Sequence, residues 1–160
     1  MGEAAEQLPD NDDILSMVQE RWSRQSNASA IYRFLLAPVT IVSASNGVVV
    51  GRLTLTKDHI NSKGGLHGSV SATIVDAFGG LAISSTDGRE KTGPSVDINV
   101  SYLGMAGEGD VIEIEGRAEK VGGSLGFTEV RISKVIEGGA KQLIVLGRHT
   151  KYVRGTGPPR

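Results

Sequence analysis

Asp76 and the glycine-rich turn ahead of it are the residues best placed to do chemistry. The turn reads Gly64-Gly65-Leu66-His67-Gly68, and Asp76 follows inside Ser69-Val70-Ser71-Ala72-Thr73-Ile74-Val75-Asp76-Ala77-Phe78-Gly79-Gly80-Leu81-Ala82-Ile83. That stretch is apolar on nearly every side, the pattern of a buried helix. A carboxylate there is costly unless it is paired, hydrogen-bonded or used. Buried acids gather at functional sites, which makes Asp76 a candidate general base or nucleophile. The plainer reading is a structural carboxylate tied to a neighbouring backbone or Arg. The helix start offers the complementary function. Its free backbone N–H groups and positive dipole end suit a developing oxyanion. Gly68 lets a substrate approach that backbone closely. His67 is placed to orient the loop or to donate to a carbonyl, its plainer role being a hydrogen bond at the helix start.

These residues need a scaffold, and hydrophobic periodicity predicts one. Asn11 or Asp12 is expected to cap a helix with Ile14, Leu15, Val18 and Trp22 on one stripe. A short helical piece through Ile31, Phe34 and Leu35 ends before Pro38. Val39–Val42 and Val48–Leu55 read as strands joined at Asn46-Gly47. A polar loop leads to the long helix, expected from Gly68 to Thr86 and closed by Asp87-Gly88. Strands follow at Ser95–Tyr102, Val111–Val121, Leu125–Val135 and Leu143–Tyr152, with turns at Gly122-Gly123 and Glu137-Gly138-Gly139. The expected fold class is α+β: an antiparallel meander in a curved sheet of about five to six strands around one central helix. Residues 12–153 form the domain in this reading, with disordered tails at 1–11 and 154–160.

Composition narrows the possibilities. A chain of 160 residues is one domain with room for a sizeable core. With 17 basic and 18 acidic residues, and 4% aromatics, neither a basic patch nor stacking platforms point to nucleic acid. The absence of Cys excludes disulfides, thiolate metal sites and a Cys nucleophile. His59, His67 and His149 show no metal-ligand spacing, so no metal is expected. No run approaches the roughly 18 apolar residues needed to span a bilayer. The opening Met1-Gly2-Glu3-Ala4-Ala5-Glu6 reads as neither a secretory signal nor a transit peptide, so a cytoplasmic, intracellular protein is expected.

The layout and the residues together resemble the hotdog-fold thioesterases, in particular the PaaI-like acyl-CoA thioesterases. The resemblance rests on His59-Ile60-Asn61-Ser62-Lys63-Gly64-Gly65-Leu66-His67-Gly68, on Ala72-Thr73-Ile74-Val75-Asp76, on Ser95–Tyr102 and on Gly147-Arg148-His149-Thr150-Lys151. It spans about residues 12–153. Ser69 departs from it, since the family commonly carries a second Gly there; a small residue at a helix start should do little harm. The resemblance implies an acyl-CoA thioesterase. Asp76 would be base or nucleophile, and the Gly68 N–H the oxyanion hole. Asn61 would position water or substrate, and Ser95 would assist the attacking water. Taken alone, Asn61 reads as a loop cap and Ser95 as a strand-start hydroxyl.

Coenzyme A would enter as part of the substrate, not as a cofactor. No P-loop and no GxGxxG motif is present. By resemblance its contacts fall on Tyr102, Lys120, Gly122, Gly123, Ser124 and Tyr152. The Gly122-Gly123-Ser124 turn would supply backbone donors, or would simply be a hairpin. Asp76 lies eight residues beyond Gly68, roughly 12 Å along a helix. A base and an oxyanion hole must both lie about 3 Å from the reacting atoms. A second chain is therefore expected to complete each site, in a homodimer or a dimer of dimers. Two other classes share these residues: a hotdog hydratase or dehydratase using His67 and Asp76, and a non-catalytic acyl-CoA-binding module.

Overall fold

The structure is a computed structural model and describes residues 10–158. Of the tails expected at 1–11 and 154–160, residues 1–9 and 159–160 lie outside the described residues, while Asn11 is already helical. Helix α1 covers Asn11–Ala28 and α2 covers Ala30–Leu35. The strands are β1 (Thr40–Ser45), β2 (Val48–Thr54), β3 (Ser95–Tyr102), β4 (Val111–Val121), β5 (Leu125–Val135) and β6 (Lys141–Tyr152). The long helix α3 runs from Gly68 to Asp87 between β2 and β3.

All six strands pair antiparallel in one sheet of order β1-β2-β4-β5-β6-β3, and α3 packs against every one of them. This is the expected helix wrapped in a curved sheet. The connectivity differs in one respect from a simple four-strand meander: β4, β5 and β6 follow in sequence, but β3 joins the far edge beside β6. The 103–110 segment carries the chain across. Its Leu103 and Gly104 N–H groups bond to the Ile144 carbonyl of β6, and Gly109 bonds to Leu55 beyond β2.

Alternation along β2, β4, β5 and β6 buries one face, while both faces of the edge strand β3 stay largely exposed. Val49, Leu53, Ile112, Ile114, Val130, Ile132 and Val145 turn inward against Ile74, Val75, Phe78 and Leu81 of α3. Small residues set the helix–sheet distance. A Cβ on Gly147 would lie 2.3 Å from a Val75 methyl, and one on Gly79 would lie 2.7 Å from His149 Nδ1. Gly88, at φ 71°, ends α3 in the left-handed conformation that only Gly adopts at little cost.

The N-terminal cap is Asp10, whose side chain accepts from the Asp13 N–H, in place of the expected Asn11 or Asp12. Four capping-type residues stand in a row there, so local preference alone does not choose among them. At the other end, Thr156 of the expected disordered tail accepts from Arg89 at 3.1 Å and donates to the Val153 carbonyl at 2.7 Å. Trp22 stacks near Tyr32 and Phe78 and donates to the Val39 carbonyl, fixing α1 and α2 over the core.

Candidate active site

The loop ahead of α3 is built to hold one backbone donor free. His59 is buried; its Nε2 lies 2.8 Å from the Leu35 carbonyl, and its Nδ1 accepts from the Thr56 N–H. Asn61 Oδ1 accepts from the Lys63 and Gly65 N–H groups at 2.9 and 3.2 Å, the loop-capping geometry its residue type favours. The Leu66 N–H bonds to Ala106, and the His67 N–H to His59. His67 then caps α3: its Nδ1 accepts from the Ser69 N–H at 3.1 Å. With Nδ1 an acceptor, the neutral ring carries its proton on Nε2, available to a neighbour.

The orphan donors of a helix start are normally divided among caps and water. Here Ser69 bonds to the His67 ring, and Val70 and Ser71 bond to the His67 carbonyl. The Gly68 N–H is the donor of that first turn left without a protein acceptor among the described residues. Gly68 lines an open cleft of about 390 Å³ with Asn61, Gly65, Tyr102 and Met105. Tyr102 donates to the Gly68 carbonyl at 3.2 Å, and a Cβ on Gly68 would meet its hydroxyl at 2.9 Å. Asn61, Gly68 and Tyr102 thus converge on this cleft, with His67 next to Gly68 as the helix cap.

A second cluster sits two turns along α3. Asp76 is not sealed in the core: its side chain is 32% exposed, on the side of the helix that opens between α2 and β3. The Tyr32 hydroxyl donates to Asp76 Oδ2. The Ser95 hydroxyl lies 3.4 Å from Asp76 Oδ1 and 2.8 Å from His149 Nε2. His149 itself is fully buried and 3.7 Å from the carboxylate. Burial, and then the Tyr32–Asp76 hydrogen bond, push the Tyr32 phenol well above its usual range, so it stays protonated and donates. Burial, with the Lys151 charge, pushes His149 below its ordinary value against the pull of Asp76. The ring is therefore neutral near neutral pH. Its Nδ1 lies buried beside the Val75 backbone without a well-formed hydrogen bond.

Sequence reasoning assigned Asp76 and Ser95 to one site by resemblance, and the fold sets them side by side across 19 residues of chain. It passed over Tyr32 and set His149 aside. The signal for His149 was its inward position on an alternating strand opposite Gly79, whose missing side chain leaves room for the ring. Tyr32 carried no local signal, because its contact with Asp76 spans 44 residues.

The remaining expected contacts lie elsewhere on the chain. Lys120, Gly122, Gly123, Ser124 and Tyr152 gather around the β4–β5 turn and the end of β6, where Leu125 pairs with Tyr152. The Gly122 N–H is engaged by the Leu125 carbonyl at 2.8 Å, as in a hairpin, so it is not a free donor. Tyr102 pairs with Val145, seven residues from Tyr152 along β6, or roughly 23 Å at strand rise. One chain does not bring Tyr102 and Tyr152 together, nor Gly68 and Asp76. Among the described residues no His, Asp and Glu group is arranged to hold a metal ion, and no helix is long and apolar enough to cross a membrane.

Comparison with known proteins gives a consistent picture. The family model of the thioesterase superfamily matches residues 63–139. Human acyl-coenzyme A thioesterase 13 is 37% identical over 119 residues, covering 74% of this chain and 82% of that protein. The crystal structure of zebra fish thioesterase superfamily member 2 is 33% identical with a TM-score of 0.78, covering 87% of this chain and 97% of that one. A hypothetical thioesterase protein from Streptococcus pneumoniae, crystallised with coenzyme A, shares the fold, at 23% identity and a TM-score of 0.67, with 77% of this chain and 94% of that one covered.

Proposed function

The chain belongs to the thioesterase superfamily, and from that premise we propose that it hydrolyses acyl-CoA thioesters at a site shared by two subunits. The observation that carries the reading is the free Gly68 N–H at the start of α3, with a hydrogen-bonded carboxylate, Asp76, further along the same helix. The N–H receives the carbonyl oxygen as it becomes an oxyanion. Asp76 takes a proton from water, whose oxygen adds to the thioester carbon. The C–S bond then breaks, and the thiolate leaves with the proton held by Asp76. Tyr32 and Ser95 fix the carboxylate, and Ser95 also touches the water. His67 Nε2–H stands beside the hole as a second donor to the carbonyl, and Asn61 holds the loop that presents Gly68.

The edge strand supports the second subunit. Among the described residues β3 has a neighbour on one side alone, and it exposes 58% of Val96 and 37% of Ile98. An open apolar edge of that length invites another strand. A second β3, antiparallel about a two-fold axis between Ile98 and Asn99, sets Ser95 of one chain opposite Tyr102 of the other. The Gly68–Tyr102 cleft then faces the partner's Asp76, and two equivalent sites result. Coenzyme A runs from that junction toward Lys120, Gly123, Ser124 and Tyr152, and dimers pair further into tetramers.

The test is direct release of free thiol from acyl-CoAs of graded chain length by the purified protein. Catalytic release well above the uncatalysed rate is expected for at least one member. Binding of acyl-CoA without release would leave a carrier module, and water addition to an enoyl-CoA would leave a hydratase.

A further inference from the structure

A second pocket lies outside the site just described, on the helix side of β6. It is bounded by the later turns of α1, the 90–93 segment and Lys151, and measures about 560 Å³. Arg21, Arg24, Lys91 and Lys151 line it, against one acid, Glu90. Glu90 is largely exposed and already engaged, 3.1 Å from Arg24 and 3.8 Å from Arg21. The two inner cations are the unusual ones. Arg21 is 9% exposed and Lys151 7%. Arg21 donates through Nη1 to the Arg89 carbonyl at 2.6 Å, but its buried Nε has no partner. Gln25 Oε1 on the same wall is also buried without one. Lys151 forms no hydrogen bond or ion pair among the described residues, and burial lowers its pKa, with Asp76 opposing and Arg21 adding. Glu90 partly offsets Arg21, but no carboxylate pairs with Lys151 among the described residues, so the pocket has capacity for a further anion.

Position says where that anion comes from. Lys151 pairs across the sheet with Ser95, whose hydroxyl lies against Asp76. Lys151 therefore stands close to the reacting carboxylate and faces the helix, whereas exposed Tyr152 turns to the outer face. The long pantetheine arm keeps the phosphates of coenzyme A many bonds from the thioester carbon. A group on the acyl chain is nearer.

We propose, resting on the acyl-CoA reading above, that this pocket receives a carboxylate at the far end of the acyl group, so that the enzyme favours dicarboxylic over simple fatty acyl-CoAs. Arg21 and Lys151 bind the carboxylate from within, and Arg24 and Lys91 guide it from the rim.

The experiment measures free-thiol release by the full chain on ω-carboxyacyl-CoAs and their methyl-ended counterparts, paired by chain length. The readout is the ratio of kcat/KM within each pair. Wild type should favour the carboxylated member about tenfold or more at one or more lengths, and Lys151→Met should remove most of that preference through KM. The double variant Arg24→Ala, Lys91→Ala alters two exposed side chains and keeps the test alive should Lys151→Met fail to fold; it should lower the ratio severalfold. A wild-type ratio at or below one at every length overturns the proposal, and so do variants that slow both members equally. Thioesters of 3′-dephospho-CoA form a further arm: if the losses disappear with that phosphate, the cations serve coenzyme A and the proposal fails. Hydrolysis of methyl-ended substrates alone would leave the thioesterase reading standing and this inference overturned, whereas no hydrolysis of either kind removes both.

Discussion

Subunit complementation follows from the helix geometry and can be worked through in numbers. α3 is one unbroken helix from Gly68 to Asp87. Eight residues separate Gly68 from Asp76, which is about 12 Å at helical rise. A single substrate carbon cannot touch both. One inactive parent is Gly68→Val: a Cβ there lies 2.9 Å from the Tyr102 hydroxyl, and the added methyls fill the approach to the free N–H. The clash is with the end of an exposed side chain that can swing aside, so the fold is expected to survive, which a melting curve checks. Losing an oxyanion donor costs roughly 10²–10³ in kcat. The second parent is Asp76→Asn, with a loss of roughly 10²–10⁴. In a mixed dimer, the Asp76→Asn chain contributes an intact hole and the Gly68→Val chain an intact carboxylate. One site is whole, and the other carries both defects. Heterodimers isolated through two different tags should therefore show about half the wild-type thiol release. Unfractionated co-expression, in which about half the dimers are mixed, should show about a quarter. Heterodimers no more active than their parents would mean that each site is built within one chain.

Tyr32→Phe keeps the ring that packs against Trp22 but removes the hydroxyl donor to Asp76. It should lower kcat about tenfold at a stability cost of about 1 kcal/mol; an unchanged kcat would show that Tyr32 does not hold the carboxylate. Asn61→Ala frees the Lys63 and Gly65 N–H groups that shape the loop, and Ser95→Ala removes the hydroxyl between Asp76 and His149. Each should slow turnover roughly tenfold, less than Asp76→Asn, because each positions and does not carry the proton. Normal turnover in both would remove them from the site. Burial keeps the folded-state pKa of His149 low, while the unfolded ring protonates near its usual value of about 6.5. As pH falls below that value the unfolded chain binds a proton that the folded chain does not, so stability declines. Urea midpoints measured from about pH 7 to pH 5 should fall less steeply in His149→Gln; equal slopes would contradict the neutral buried ring.

Much of this was legible from local pattern. The all-round apolarity of residues 69–83, the alternation of Ser95–Tyr102 and the capping chemistry of His67 and Gly88 are short-range signals, and the elements formed where those signals lay. Partnership across the chain was not legible. That β3 crosses to the far edge depends on which strand edge is free once β4–β6 have paired, and alternation does not encode that. The Tyr32–Asp76 bond and the burial of Lys151 beside Arg21 arise when α1 and α2 fold over the open side of α3. A Lys near the end of a strand looks like a solvated charge until the helix above it is known. The separation of Gly68 from Asp76 was the exception, because helical rise makes a long-range consequence out of a local one.

Asp76→Asn tests the central claim most directly. The amide matches the carboxylate in shape; its oxygen can still accept from Tyr32 while its NH2 donates to the Ser95 hydroxyl, but it cannot take a proton from water. The measurement is single-turnover thiol release by the purified variant, alongside its melting temperature and oligomeric state. The account predicts a folded, assembled protein slowed by roughly 10²–10⁴. A folded variant that turns over acyl-CoA at close to the wild-type rate would contradict it.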